Sequence, residues 1–210
     1  MNFRNMHVYK AVAIVAVMGI VALGSLSAQP IGEEQNIPMS GAIGEQIPSE
    51  AEGILYMREE EKLARDVYLA LYEKWGIRTF ANIARAEQKH MDAVGLLIEK
   101  QGLVDPAADT KMGEFKNPDL ASLYASLVQL GSKSPQDALT VGAIIEDLDI
   151  SDLDAYLIRT EDPYARIVYT NLLKGSENHM RSFARQLSRY GIVYEARYMT
   201  AERLQDILGR

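Results

Sequence analysis

From residue 49 onward the apolar residues recur at steps of three and four, with charged residues between them. That period presses one side of an α-helix against a core. The stretch SEAEGILYMREEEKLARDVYLALYEKWG opens on Ser49 as N-cap, carries Glu50 and Glu52 in its first turn, and stops at Gly76. One face of this helix holds Met57, Glu61, Ala64, Tyr68, Leu71 and Trp75. A second helix is expected from about Thr79 to Gln101, with Phe80, Ile83, Ala84, Val94, Leu97 and Ile98 facing inward and Gly102 as its stop. Two long helices joined by so short a turn lie antiparallel.

Residues 102–134 break the period. Asp105-Pro106 and Asn117-Pro118 punctuate them, and a short amphipathic helix is expected over about Pro118–Leu130. A third long helix starts at Ser134-Pro135, cap then proline, with Leu139, Gly142, Ala143, Glu146, Asp149, Ile150, Leu153, Tyr156 and Leu157 on its inward stripe. A fourth starts at Asp162-Pro163 and is expected to reach Gly191. Its stripe is Ala165, Val168, Tyr169, Leu172, Ser176, His179, Phe183 and Tyr190. A last short helix is expected over about Thr200–Leu208. GIVYEARYM allows a few extended residues, and no segment has the period of a strand. The fold expected is all-α, an antiparallel four-helix bundle with a long crossover between the second and third long helices.

Composition adds enough apolar material for a sizeable core, 48% hydrophobic against 24% charged. The formal charge is −7, with Lys and Arg dispersed among acids, which leaves no footprint for nucleic acid. The absence of cysteine excludes disulfides, thiolate metal sites and thiol nucleophiles. At the N-terminus, Arg4 and Lys10 precede an uncharged run from Ala11 to Leu26, with small residues at Ser25, Ser27 and Ala28. This reads as a secretory signal over residues 1–28, or as an uncleaved anchor, and either places the protein outside the cytoplasm. Cleavage would remove two basic residues and no acid, taking the charge from −7 to −9. Residues 29–48, with three prolines and three glycines, read as a linker ahead of a domain spanning 49–210.

Each long helix interrupts its apolar stripe with a polar side chain. The first brings Glu61, the second Glu87 and His90, the third Glu146 and Asp149, and the fourth His179. Unpaired buried carboxylates are costly, and divalent cations remove that cost. Glu-x-x-His puts two ligands on one helix face, because residues three apart are neighbours there. These six residues are the candidate metal ligands. The bland alternatives are a solvated face for Glu59-Glu60-Glu61 with at most one of them inward, surface acids at Asp147, Asp149, Asp152 and Asp154, and a core histidine at His179. Tyr68 and Tyr169 are candidate hydrogen-bond donors to the ligands, or plain core tyrosines.

EKLARDVY (61–68), AEQKHMDAV (86–94), IIEDLD (144–149) and GSENHMRSF (175–183) resemble, in that order, the four helix motifs of rubrerythrin-type ferritin-like proteins. Taken together with MREEEKLARDVY and IEDLDISDL, they are most similar to an uncharacterised ferritin-like family called domain of unknown function 2202. The resemblance covers about residues 50–190. It implies a ferritin-like bundle holding two metal ions through Glu61, Glu87, His90, Glu146, Asp149 and His179, with Glu61 and Glu87 as bridges. Iron is the implied metal, with manganese or zinc as alternatives. The implied chemistry is ferroxidase activity or reduction of peroxide or oxygen with an external reductant, and side-by-side homodimers are common among such bundles. Ser176 stands where the rubrerythrin pattern has a glutamate, so the set is one carboxylate short. A metal-binding module without turnover and a metal-free scaffold for partner binding stay open as alternatives.

Overall fold

The computed structural model describes residues 49–209. It is all-helical over that range: α1 (Glu50–Trp75), α2 (Arg78–Lys100), α3 (Pro118–Gly131), α4 (Pro135–Arg159), α5 (Pro163–Ser188) and α6 (Ala201–Leu208). The expected signal and linker, residues 1–48, lie outside the described residues. Among the described residues no helix is long and apolar enough to cross a membrane.

Helix ends follow local chemistry. Ser49 and Glu52 form a reciprocal capping box at the start of α1, and Gly76 ends that helix in the left-handed region at φ 65°. Helices α4 and α5 begin on Ser134 and Asp162 as caps with proline next in line. Helix α2 begins at Arg78 behind Ile77, which offers no capping side chain. Helix α5 stops at Ser188, short of Gly191, because the chain turns there and Gly191 takes φ 71°. Tyr190, expected on the inward stripe, therefore lies beyond the helix and is 52% exposed.

The four long helices pack as two hairpins, α1 with α2 and α4 with α5. Across the hairpins the directions are also opposed. Gly53 near the start of α1 abuts the Tyr156 ring near the end of α4, and Gln101 just past α2 bonds Asp162 ahead of α5 at 2.9 Å. So α4 runs parallel to α2, and residues 101–134 must carry the chain back along the whole bundle. Helix α3 lies within this crossover, against α1 and α4.

The crossover explains the first departure from expectation. Glu59, Glu60, Glu61 and Lys62 are all buried, whereas at most one acid of the Glu59-Glu60-Glu61 run was expected to point inward. Helix α1 is covered on several sides. The crossover backbone of Lys116 and Asn117 donates to Glu59, Gly113 N–H donates to Asp66, and the Lys62 ammonium donates to Lys111 O at 2.7 Å and to Asp66 at 2.6 Å.

Of the four acids weighed as surface residues on α4, only Asp154 lies at the surface side, paired with Arg203 at 2.9 Å. Asp147 is fully buried. It accepts backbone N–H groups of Arg197, Tyr198 and Met199 and the Tyr194 hydroxyl, and so fastens residues 194–199 onto the bundle. GIVYEARYM thus satisfies its backbone through a carboxylate, and no strand occurs among the described residues.

The apolar core is divided in two. One cluster gathers Leu71, Phe80, Leu139 and Phe183 at one end; the other gathers Ile54, Ile98, Leu153 and Ala165 at the other. On α1, α2 and α5 the candidate ligands fall between the residues of one cluster and those of the other, while on α4 Glu146 and Asp149 lie toward the end of the first cluster, which runs to Ile150 before Leu153 opens the second.

Candidate metal centre

Five of the six candidate ligands converge in this dividing layer. Glu87 of α2 is the hinge of the arrangement. Its Oε2 lies 2.7 Å from Nδ1 of His90, one helical turn on, and its Oε1 lies 2.9 Å from Nδ1 of His179 on α5. Glu61 of α1 approaches His90 Nδ1 at 3.2 Å, and Glu146 of α4 approaches His179 Nδ1 at 3.5 Å. The result is two groups, Glu61/Glu87/His90 and Glu87/Glu146/His179, whose ligand atoms lie within 4.8 Å of one another in each. Glu87 alone belongs to both. Glu61, expected as a second bridge, touches only one group.

The sixth residue, Asp149, sits beside the groups without joining either. Its carboxylate lies beside the Ser176 hydroxyl, which donates to the Leu172 carbonyl at 3.0 Å. Ser176, in the place of the missing carboxylate, thus faces Asp149 from across the bundle. Glu177 points elsewhere and pairs with Arg203 at 2.8 Å and Arg181 at 3.3 Å.

The two tyrosines separate. Tyr68 donates its hydroxyl to Glu146 Oε1 at 2.5 Å and lies 3.3 Å from the Gly142 carbonyl. Tyr169 belongs to the other end of the core, packed on Tyr156, with its hydroxyl unpartnered and nearer Glu50 and Asp162 than the ligands. Both have helical spacing from a ligand. Only the tertiary packing distinguishes them.

The electrostatics are those of a crowded acidic cage held together by two imidazoliums. Burial opposes charging His90 and His179, but the adjacent carboxylates outweigh it and lift their pKa values to about 11 and about 10. Burial raises Glu61 to about 7 even against the pull of His90. Glu87 resists burial because both imidazoles flank it, and it falls to about 2. Burial lifts Glu146 and, more strongly, Asp149, which also faces Glu61.

Several atoms in this layer remain unsatisfied: Oε1 of Glu61, Oε1 of Glu87, Oδ1 of Asp149 and Nδ1 of His179. Nδ1 of His179 and Oε1 of Glu87 are close without hydrogen-bond alignment, as donors aimed at a common point would be. Buried polar atoms without partners are rare in native proteins and ask for a ligand. The donor set of imidazole nitrogen and carboxylate oxygen fits a pair of first-row divalent ions sharing Glu87.

Sequence reasoning missed one residue here. A Cβ on Gly175 would come within 2.6 Å of Cε1 and Nε2 of His90, so the His90 ring occupies space that any other residue of α5 would fill. Its signal was a glycine inside a helix, four residues ahead of His179.

A family model described as an uncharacterized protein domain, DUF2202, matches residues 50–210. The chain belongs to the DUF2202 family. The uncharacterized protein MJ0754 of Methanocaldococcus jannaschii is 48% identical over 186 residues, which span 89% of this chain and 92% of that relative. A crystal structure of hypothetical protein MJ0754 from that archaeon matches with a TM-score of 0.75 at 48% identity, over 89% of this chain and 98% of the other.

Proposed function

We propose that this DUF2202 protein is a di-metal carboxylate protein, with iron as its metal and oxidation by peroxide or oxygen as its chemistry. The observation that carries the reading is the shared position of Glu87 between two histidine-containing groups, with unpartnered donor atoms directed into both. Glu61, Glu87 and His90 would hold one ion; Glu87, Glu146 and His179 would hold the other. Asp149, next to Ser176, is the nearest further carboxylate. The choice of iron rests on the resemblance to rubrerythrin-type proteins, since this donor set also accepts manganese and zinc.

Bound as a pair, the irons supply one-electron redox chemistry with peroxide or dioxygen, using electrons from an external reductant. The chain's own residues do the rest. The Tyr68 hydroxyl orients Glu146, and His90 and His179 would give up their protons to serve as ligands. His90 and His179 keep 14% and 12% of their side chains exposed, so the layer reaches the surface where a small oxidant can enter. The N-terminal basic and apolar segment supports placing the centre outside the cytoplasm.

Ser176 favours a second reading, a metal-binding module without turnover, since one fewer carboxylate leaves one ion less firmly held. The two readings part on reconstitution of the full chain with ferrous iron under anaerobic conditions, compared with Glu87→Ala/His90→Ala. Two irons per chain, lost in the variant, with near-ultraviolet absorption rising on addition of peroxide, is the expected result. A single, redox-silent ion would select the binding module. A folded wild type holding no iron at this layer would remove both readings.

A further inference from the structure

The start of α1, the end of α2, the end of α4 and the start of α5 meet at one end of the bundle. Glu50 accepts from the Thr160 hydroxyl and, at 3.1 Å, from the Asp162 N–H; Gln101 bonds Asp162, and Gly53 abuts Tyr156. Five large apolar side chains stand out in water around this end. Leu96 and Val104 lie at the end of α2 and just beyond it, Ile158 at the end of α4, and Tyr164 and Ile167 at the start of α5. They are 57–86% exposed, and among the described residues the only other large apolar side chain so bare is Val193, past the far end of α5. Single exposed apolar residues are ordinary, whereas a gathering of them marks a contact surface. Lys100 lies over the Tyr164 ring, and Arg159 and Arg166 are exposed among the same residues. Glu50, Glu52, Glu99 and Glu161 are exposed there too, so charge draws this end to a partner of neither sign.

Residues 1–48 join the bundle at this same end, ahead of Ser49, and include the apolar run Ala11–Leu26. We propose that this run stays on the chain as a membrane anchor and that the Ser49 end of the bundle rests on the lipid surface, with Leu96, Val104, Ile158, Tyr164 and Ile167 entering its interfacial layer. No charge interrupts the chain between Lys10 and Glu33, which leaves room for a span of about 20 residues. At most 22 residues, 27–48, then separate the anchor from Ser49. A flexible linker of that length holds its ends about 25 Å apart, whereas α1 alone is about 39 Å long, so the Ser49 end is the one brought to the surface. The exposed apolar residues come from α2, α4 and α5, on different sides of the bundle. A flat surface across the end meets all of them at once, while a partner lying along one side would miss some. A tyrosine with a lysine beside it suits the headgroup boundary, where the ring is buried and the charge stays in water. The tether supplies a high local concentration, so shallow insertion of five side chains suffices. The proposal rests on the N-terminal segment and not on the di-iron reading.

The test uses the full chain in phosphatidylcholine vesicles. The chain has no cysteine, so a single label can be placed by substitution. An environment-sensitive fluorophore is attached to Val104→Cys, Ile158→Cys or Val193→Cys, and its quenching by a lipid-borne nitroxide is compared with quenching by iodide in the water. These positions are exposed, so the fold is expected to survive each change. The chain is expected to float with the vesicles, with the Val104→Cys and Ile158→Cys labels quenched from the lipid and shielded from iodide, and the Val193→Cys label the reverse. Adding Ile158→Glu/Ile167→Glu to the Val104→Cys chain is expected to return its label to iodide while the chain still floats. Equal lipid quenching at all three positions, a double variant that leaves the Val104→Cys label in the lipid, or a full chain that does not float would each overturn the proposal. Shielding from iodide without lipid quenching would overturn it too, and would give this end to the N-terminal run or to a second copy. None of these readouts involves metal, so they are independent of the outcome at the histidine layer.

Discussion

At the scale of single residues, the centre depends on side chains that would hold no metal. Tyr68 fixes Glu146 through a buried hydroxyl, while Tyr169, with similar helical spacing from a ligand, lies in the other half of the core. Replacing Tyr68 with Phe is therefore expected to weaken ferrous or manganous binding by roughly 10–100-fold, the usual effect of losing a ligand's outer hydrogen bond. Tyr169→Phe should leave affinity unchanged, and titration calorimetry on both variants checks the contrast. Gly175 acts through space rather than through bonds. Gly175→Ala would drive its methyl into the His90 ring, and the ring can only yield by turning away from Glu61 and Glu87. The expected outcome is loss of metal at the Glu61/Glu87/His90 group with helicity by circular dichroism intact. Full metal content in Gly175→Ala would show that His90 has room to spare.

Among elements, the long helices could be read from period and caps alone, whereas the surroundings of each helix could not. The run Glu59-Glu60-Glu61 looks like a solvated face because a helix pattern records only its own periodicity. Its burial comes from the crossover, a segment with no regular period, folding over α1 and offering backbone N–H groups to Glu59. Asp147 does the same for residues 194–199, which hang on its carboxylate through three backbone amides and Tyr194. Asp147→Asn would replace one of those acceptor oxygens by a donor facing N–H groups. A buried donor without an acceptor costs about 1–3 kcal/mol, more where a charged acceptor is lost. Hydrogen exchange should then speed up in residues 194–199 and α6 well before the four long helices respond. Uniform loosening of the whole bundle would contradict this division.

For the whole molecule, the dividing layer makes stability depend on protons and on metal together. His90 and His179 have pKa values lifted from 6.5 to about 11 and about 10, so their contribution is complete below pH 6.5 and disappears as pH rises through those values. Glu61 and Asp152 are lifted to about 7 and act in the same direction, being most favourable below their ordinary carboxylate range and least so above pH 7. Within the layer Glu87, held down to about 2 by the flanking imidazoles, works the other way, and its contribution is lost only as pH falls from 4.5 toward 2. The metal-free protein is accordingly expected to show a Tm that falls from about pH 5 to about pH 8. Metal displaces the same protons, so the gain in Tm on adding ferrous or manganous ion should grow over that interval. Differential scanning calorimetry with and without chelator reads both trends; a metal-free Tm that rises toward pH 8 would refute the assignment of charge within the layer.

What the sequence determined by itself was whatever depends on neighbours along the chain. The helix period, the caps at Ser49, Ser134 and Asp162, and the placing of Glu61, Glu87, His90, Glu146 and His179 on inward stripes all follow from spacing of three and four. A polar residue on a stripe has to meet whatever the other stripes bring to the same level, and here that meant ligand-type residues on all four helices. What only the tertiary structure decided was which atoms meet. The sharing of Glu87 between two histidines, the assignment of Tyr68 rather than Tyr169, the room Gly175 leaves for His90, and the burial of Glu60 with Asp152 all arise between helices. The physical reason is range. Backbone periodicity is a local property of the chain, while the register and rotation of one helix against another are set by how both halves of the apolar core close around the polar layer.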